Sequence, residues 1–167
     1  TNPCGEILLD SHGVCNLTTV NMTAFIKDDN SLDLPGLEEA QRLSARAGLR
    51  MTLVDLELPE WNKVQQRDRL LGTSLTGVKD TFSAITSPET YENPKEYEDY
   101  VLRVLRSAAN GESERYAAEL RVNAPLLVTT VKPEGTLSLV AGGVSAGIHM
   151  SHSPYYIRRM RISSIDP

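Results

Sequence analysis

The sequence predicts an α/β fold built around a parallel sheet. Residues 69–77 and 126–131 have the composition of strands, and helical segments separate them. Because strands that are joined through a helix lie parallel in one sheet, this order indicates a βαβ unit. The length of 167 residues and the hydrophobic content of 40% are sufficient for one domain with its own core.

The first half of the chain contributes one further strand and one long helix. Residues 14–20 are rich in β-branched side chains and roughly alternate, which predicts a strand after a turn at 11–13. A helix is expected to begin at Pro35, capped by Asp33. Its core face is predicted from helical spacing to consist of Leu37, Ala40, Leu43, Ala47 and Met51.

The elements after this helix are predicted from Pro and Gly positions and from helical spacing. Pro59 and Trp61 are expected in the loop that leaves the first helix. A helix is expected at 78–85, and a helical region at 94–120 is expected to break at Gly111. Its apolar face is predicted to comprise Tyr97, Tyr100, Val101, Val104 and Leu105.

Composition excludes several classes of function. The net charge of −5 argues against a dedicated nucleic-acid surface, and no apolar run approaches the roughly 20 residues of a membrane span. Two cysteines are too few for a disulfide scaffold, which favours a reducing cytoplasm. Three histidines without a cluster predict no metal site. Because the sequence starts inside a motif and without Met, we expect it to be a piece of a larger protein.

The first fifteen residues hold both cysteines, Cys4 and Cys15, eleven positions apart. If this segment is extended, Asn2, Cys4 and Glu6 point to the same side of the chain. They would then offer a reactive sulfur, an acid or base, and an amide that can hold a hydroxyl. The alternative is a turn that contains a buried, unreactive cysteine.

A second candidate site lies at 132–138, between the strand at 126–131 and an expected helix start. Gly135 and the hydroxyls of Thr136 and Ser138 suit an anion site, because free backbone N–H groups at such a turn favour phosphate oxygens. Lys132 adds positive charge. The loop is not a Walker A motif, since the Gly-Lys-Ser/Thr ending is absent. The alternative is an ordinary capped turn between a strand and a helix.

The Asn-Pro-Cys-Gly-Glu sequence at 2–6 resembles the finger loop of ribonucleotide reductases. The resemblance implies that Cys4 carries a thiyl radical, which takes the 3′ hydrogen from the ribose. It implies that Glu6 deprotonates the 3′-hydroxyl, that Asn2 hydrogen-bonds near the ribose hydroxyls, and that Cys15 is a reducing cysteine. The short interval from Cys4 to Cys15 is similar to that of monomeric class II enzymes, which depend on adenosylcobalamin and act on nucleoside triphosphates.

Three later segments are also similar to class II reductases. Residues 72–80 look like a barrel strand of that family, and the run at 153–162 is similar to it as well. The Pro-x-Gly-Thr-x-Ser pattern resembles the loop that holds the substrate phosphates. This last resemblance implicates Pro133, Glu134, Gly135, Thr136, Leu137 and Ser138, chiefly through backbone amides and the two hydroxyls. The Glu134 side chain is expected to point outward or to meet a cation, because a carboxylate repels a polyphosphate.

Taken over the chain, the resemblance implies the second half of a ten-stranded reductase α/β barrel. Residues 1–167 would be a partial catalytic barrel domain, with the finger loop at 1–13 and the phosphate-binding loop near 132–138. It implies reduction of ribonucleoside triphosphates to 2′-deoxyribonucleotides with adenosylcobalamin as cofactor. The implied partners are the triphosphate substrate, a thioredoxin-type reductant and the remainder of the reductase chain, which would supply the second thiol.

Two alternatives remain at this point. One is a fragment of a class I large subunit, served by a separate radical subunit. The other is a non-catalytic nucleotide-binding fragment in which Cys4 is merely buried.

Overall fold

The computed structural model describes residues 1–153, 155–157, 159, 161 and 163–164. The strands and helices of this part of the chain, in order, are β1 (Cys15–Asn21), a short 3-10 helix (Met22–Phe25), α1 (Leu34–Met51), α2 (Pro59–Asp68), β2 (Leu70–Thr76), α3 (Val78–Ala84), α4 (Pro94–Leu120) and α5 (Leu137–Val140). None of the described helices is both long enough and apolar enough to cross a bilayer.

A parallel sheet forms the centre of the molecule, as the sequence predicts. β1 and β2 pair in parallel, in a register that runs from Cys15 opposite Leu70 to Asn21 opposite Thr76. The expected strand at 126–131 is an extended segment on the other edge of β2. The N–H of Thr73 donates to the carbonyl of Val128 at 2.8 Å, and the N–H of Thr130 donates back to Thr73 at 3.0 Å. β2 therefore lies in the middle of three parallel segments.

Helix α1 begins as expected but buries a different face. The Asp33 side chain accepts a hydrogen bond from the Gly36 N–H, which confirms the cap. Leu43 and Met51 of the predicted apolar stripe are 53% and 38% exposed. The buried face consists of Leu37, Gln41, Ser44, Ala45, Gly48 and Leu49. Small residues allow α1 to lie close to the sheet, where the Ser44 hydroxyl donates to Thr18 Oγ1 at 2.8 Å.

Two predictions about helix boundaries are wrong. Pro59 starts α2 rather than a loop, because proline suits the first helical turn, where its missing N–H costs nothing. Gly111 does not break α4, which runs for 27 residues and ends with Arg121 in the left-handed conformation. The cost of a helical glycine, about 1 kcal/mol, is small beside the packing of Ala109 and Tyr116 against α1 and the sheet.

The core lies between the helices and one face of the sheet. One buried cluster includes Val20, Met22, Leu37, Val101 and Leu105, and a second includes Leu49, Leu71 and Tyr116. Of the face predicted for α4, Tyr97, Val101 and Leu105 are buried, whereas Tyr100 is exposed. The helix predicted at 78–85 is confirmed as α3. The core therefore occupies one face of the sheet, and the opposite face does not pack against α1 and α4.

Candidate functional site

The face of the sheet opposite helices α1 and α4 carries the residues of both candidate sites. Side chains alternate along a strand, so Thr18 reaches α1 while Cys15 and Thr19 lie on the other face. Gly72 of β2 and Thr130 of the third segment lie next to Cys15 on that face. The side chains there are mostly small or polar. The sheet thus separates an apolar packing face from a face suited to chemistry.

The N-terminal loop is a tight turn and not an extended segment, so of the two conformations that the sequence left open the turn is found. The Gly5 N–H donates to the Asn2 carbonyl at 3.0 Å, and Gly5 has φ +76°. Asn at the first position of a turn, Pro at the second and Gly at the fourth are typical of a β-turn. The strand alternation that would turn Asn2, Cys4 and Glu6 to one side therefore does not apply, and Cys4 lies exposed near the tip of the turn.

Asn2 also stabilises this turn through its side chain. Its Oδ1 accepts a hydrogen bond from the Ile7 N–H at 3.2 Å. The amide nitrogen has no acceptor in the part of the chain that the structure describes. Asn2 consequently fixes the loop with one end of its amide and retains a donor at the other end.

Glu6 turns inward from the same loop. Both of its carboxylate oxygens are buried, and neither has a hydrogen-bond partner among the described residues. Its backbone carbonyl accepts a hydrogen bond from Thr130 Oγ1 at 3.2 Å, which ties the loop to the third strand segment. Burial of a carboxylate without a partner costs several kcal/mol. Glu6 is therefore prepared to receive a hydrogen-bond donor from elsewhere.

Cys15 lies at the start of β1 and is half-buried. Burial, followed by the negative charge of nearby Glu6, raises the pKa of the Cys15 thiol to about 12. The side chain is consequently a neutral thiol at physiological pH. Cys4 and Cys15 are both free in the structure.

Gly72 makes room for Cys15. A Cβ atom at position 72 would lie 2.3 Å from Leu17 Cδ2, 3.0 Å from Thr130 Cγ2 and 3.1 Å from Cys15 Sγ. Real Cβ atoms do not approach side chains so closely. The absence of a side chain at position 72 therefore allows three neighbouring strand segments to bring Cys15 and Thr130 together.

In the second candidate site, Glu134 points into the protein. Its Oε1 accepts a hydrogen bond from Thr19 Oγ1 at 2.6 Å, and its Oε2 lies 3.2 Å from Lys132 Nζ. Of the two arrangements expected for this carboxylate, the meeting with a cation is found and the outward orientation is not. The cation is Lys132, so the charge expected to assist anion binding is already paired with Glu134.

The rest of this loop leads into a helix of only one turn. The expected helix is the single turn α5, Leu137–Val140. Gly135, Thr136 and Leu137 are exposed, and their N–H groups donate to no residue in the described ranges. Ser138 is buried, and its hydroxyl donates to the Gly135 carbonyl at 3.4 Å. Its role is therefore to hold the loop, whereas the Thr136 side chain is accessible.

The small-residue loop at 141–149 is fastened beside this site by contacts that the sequence did not reveal. Asp80 Oδ2 accepts a hydrogen bond from the Ser145 N–H at 2.6 Å, and Thr76 Oγ1 accepts one from the Gly147 N–H at 3.2 Å. Gly142 and Gly143 both have positive φ. Of the run at 153–162, residues 154, 158, 160 and 162 lie outside the described residues. No group of three or more potential ligands for a metal ion is found in the described ranges.

Comparisons with known proteins agree on one family. A family model described as "Ribonucleotide reductase, barrel domain" matches residues 1–125. A protein of Mycobacterium phage D29, provisionally assigned as an adenosylcobalamin-dependent ribonucleoside-triphosphate reductase, is 36% identical over 99% of this chain and 24% of its own length. The adenosylcobalamin-dependent ribonucleoside-triphosphate reductase of Lactobacillus gasseri is 33% identical over all of this chain and 24% of its own.

A solved structure supports the same relationship. The crystal structure of a B12-dependent, class II ribonucleotide reductase matches with a TM-score of 0.73 and 29% sequence identity. The match covers 89% of this chain and 22% of that one. The chain therefore spans about a quarter of the length of the relatives that it matches. The family model covers most of the sequence, and the chain belongs to the ribonucleotide reductase barrel-domain family.

Proposed function

We propose that this chain forms part of the active site of an adenosylcobalamin-dependent enzyme that reduces ribonucleoside triphosphates to 2′-deoxyribonucleotides. The observation that carries this proposal is the buried carboxylate of Glu6, which lacks a partner among the described residues and lies near Cys15. A carboxylate of this kind suits a substrate that brings its own hydroxyl donor. The names of the relatives supply the substrate class and the cofactor.

Cys4 is the residue through which the reaction would start. When bound, adenosylcobalamin supplies the radical chemistry that converts a thiol to a thiyl radical. The position of Cys4 fits that role, because an exposed sulfur near the tip of a turn is accessible to a reactive group held by another part of the enzyme. The Cys4 thiyl then takes the hydrogen atom from C3′ of the ribose and returns it at the end of the reaction.

Glu6 and Asn2 would act on the ribose hydroxyls. The 3′-hydroxyl donates its proton to the Glu6 carboxylate, which gives a buried oxygen the partner that it lacks in this structure. The free amide nitrogen of Asn2 donates a hydrogen bond to a ribose oxygen, while its amide oxygen keeps the turn in place. The turn thus fixes the sulfur, the base and the amide relative to one another.

Cys15 would supply one of the two reducing thiols. The 2′-hydroxyl leaves as water after it gains a proton, and Cys15 carries a proton that it can give because its thiol is neutral at physiological pH. Oxidation of two thiols to one disulfide supplies the two electrons that reduction of the ribose requires. The second thiol and the thioredoxin-type reductant that reopens the disulfide would lie outside this chain.

The loop at 132–138 would bind the substrate phosphates through backbone amides. The exposed N–H groups of residues 135–137 and the Thr136 hydroxyl are suitable donors for phosphate oxygens. Glu134 and Ser138 would shape the loop instead of touching the phosphates, because both are buried. Pro133 would shape the loop as well.

The complete enzyme would place this chain in the second half of a ten-stranded barrel. The parallel order of β1, β2 and the segment at 126–131 supports such a position, since a barrel of this kind is built from parallel strands. The finger loop would occupy residues 1–13, with the phosphate-binding loop near 132–138. The cytoplasm, where thiols stay reduced, is the compartment that this chemistry requires.

The test is the cofactor requirement of the complete protein. We expect it to form deoxyribonucleotides from ribonucleoside triphosphates with adenosylcobalamin and a dithiol, and to be inactive without the cofactor. Activity that instead required a separate radical subunit would identify a class I enzyme. Nucleotide binding without turnover under both conditions would identify a non-catalytic fragment.

A further inference from the structure

Two hydroxyl side chains on neighbouring strands hold the loop at 132–138. Thr19 of β1 and Ser74 of β2 lie opposite one another in the parallel register. The Thr19 hydroxyl donates to Glu134 Oε1 at 2.6 Å, and Ser74 Oγ accepts a hydrogen bond from the Lys132 N–H at 3.1 Å. The loop is thus attached to the sheet at two points, on the face that carries Cys15.

Of the two loop residues that make these hydrogen bonds, Glu134 is the more deeply buried. Its side chain is 0% exposed, and Lys132 Nζ lies 3.2 Å from its second carboxylate oxygen. Its backbone has φ +58°, a left-handed conformation that residues with a Cβ adopt only at a cost. Such a conformation persists where the surrounding contacts compensate for it. Here the compensation comes from Thr19 and Lys132.

The left-handed turn at Glu134 determines where the following amides point. The Ser138 N–H returns to the Glu134 carbonyl at 2.9 Å, which closes the loop over residues 135–137. Their three N–H groups stay exposed. A left-handed residue next to right-handed ones makes successive N–H groups converge on an anion. The carboxylate of Glu134 is buried, whereas the residues that carry these amides are exposed.

We propose that Glu134 is a positioning residue, whose buried carboxylate, held by Thr19 and Lys132, fixes the turn that presents the amides of residues 135–137 to the substrate's triphosphate. This inference rests on the proposed function and refines it. In this arrangement the charge of Lys132 pairs with Glu134 and does not bind the phosphates. Thr19, on a strand far from the loop in sequence, becomes part of the same substrate site.

The sign of the effect of Glu134→Gln distinguishes this role from a direct one. A carboxylate that faced the phosphates would repel them, so its neutralisation would tighten binding. A carboxylate that shapes the loop from behind is needed for binding, so its neutralisation loosens it. Thr19→Val tests the same contact from the other side, because it keeps the shape of the side chain and removes the hydroxyl.

The experiment measures binding of inorganic tripolyphosphate, of the substrate triphosphate and of the unphosphorylated nucleoside to the complete protein. We expect Glu134→Gln and Thr19→Val each to weaken binding of both phosphate-bearing ligands about tenfold. Binding of the nucleoside should not change. In turnover, KM should rise by a similar factor while kcat at saturation is kept. Thr19→Ser should restore binding, and Glu114→Gln, at an exposed site on α4, should match the wild type.

The pairing with Lys132 is tested by a double-mutant cycle. If Lys132 acts through Glu134, Lys132→Met should weaken tripolyphosphate binding less in the Glu134→Gln background than alone. Equal effects in both backgrounds would mean that Lys132 contacts the phosphates directly, which would overturn its assignment. Should Glu134→Gln fail to fold, Thr19→Val with Thr19→Ser decides the question.

Tighter or unchanged tripolyphosphate binding in Glu134→Gln and Thr19→Val would overturn the inference. This outcome is separable from failure of the proposed function. A wild-type protein that makes no deoxyribonucleotide, yet binds tripolyphosphate in a manner that depends on Glu134, would reject the reductase and retain the positioning role. An active reductase whose KM is unchanged by both substitutions would retain the proposed function and reject the positioning role.

Discussion

The carboxylate of Glu6 lies close enough to the thiol of Cys15 for its charge to affect that thiol. Burial of Cys15 and, after it, the charge of Glu6 raise the thiol pKa to about 12. The thiol therefore stays protonated over the whole physiological range. Cys4 lies exposed near the tip of the same turn. The two cysteines thus lie in different environments, as the separate roles proposed for them require.

Alkylation should separate the two cysteines of the reduced, complete protein. We expect iodoacetamide at pH 8 to modify Cys4 well before Cys15, because the thiolate is the nucleophile and Cys15 is half-buried and protonated. Glu6→Gln should accelerate modification of Cys15, since removal of the negative charge lowers the thiol pKa and increases the thiolate fraction. The measurement is the rate of modification of each cysteine-containing peptide by mass spectrometry.

The same samples test the absence of a structural disulfide. Both cysteines should titrate as free thiols in mild reductant. A Cys4–Cys15 bridge that persisted there, or equal alkylation rates for the two residues, would contradict their assignment to separate roles.

Replacement by alanine should destabilise the protein at Gly72 and stabilise it at Gly111. Gly72→Ala places a methyl group against Leu17, Thr130 and Cys15 and should destabilise the protein by about 1–3 kcal/mol. Gly111→Ala meets nothing within 4 Å on an exposed helix surface and should stabilise it by about 0.5–1 kcal/mol. The thermal midpoint of the complete protein is the measurement. A neutral Gly72→Ala would mean that the strands are less closely packed at Cys15 than the structure indicates.

Glu6→Gln should reduce turnover with little effect on substrate affinity. The change keeps the size and hydrogen-bonding capacity of the side chain but removes the base. Because proton transfer to a positioned base contributes roughly 10²–10⁴-fold, we expect kcat to fall by about that factor. Glu6→Asp should lie between the two, since its carboxylate is displaced by one methylene. Near wild-type turnover in Glu6→Gln would mean that this carboxylate is structural.

The chain of 167 residues should aggregate and be inactive when it is produced alone. Leu126 and Val140, which follow α4 in the chain, are 68% and 79% exposed, and an open sheet edge invites pairing with other chains. Leu126→Lys should therefore lower light scattering more than Ser107→Lys, which adds the same charge on an exposed part of α4. Nucleotide reduction by the isolated chain would contradict the expectation that the active site is incomplete.

The sequence predicted the sheet well because each strand leaves a local signal. β1 and β2 are runs of β-branched and apolar residues, and the helices between strands require parallel pairing. The buried face of α1 was missed for a physical reason. Close packing on the sheet selected Ser44 and Gly48 over the larger Leu43, and hydropathy does not record such a preference.

The sequence did not predict the geometry of the candidate sites. The turn at 2–5 could have been recognised, because Asn, Pro and Gly stand at the positions where a β-turn favours them. The inward orientation of Glu134 could not, since it depends on Thr19, which lies 115 residues earlier in the chain. The contacts of Asp80 and Thr76 with the loop at 141–149 are likewise long-range. Local pattern indicates candidate residues, and tertiary contacts decide how those residues face one another.

Cys4→Ser in the complete protein tests the proposal that Cys4 carries the radical. Serine is close in size to cysteine, and substitutions at exposed positions usually have little effect on folding. Ribonucleotide reduction is measured beside affinity for the substrate triphosphate, with adenosylcobalamin and reductant present. We expect Cys4→Ser to have unchanged nucleotide affinity and to form no detectable deoxyribonucleotide. Turnover at the wild-type rate in Cys4→Ser would contradict it.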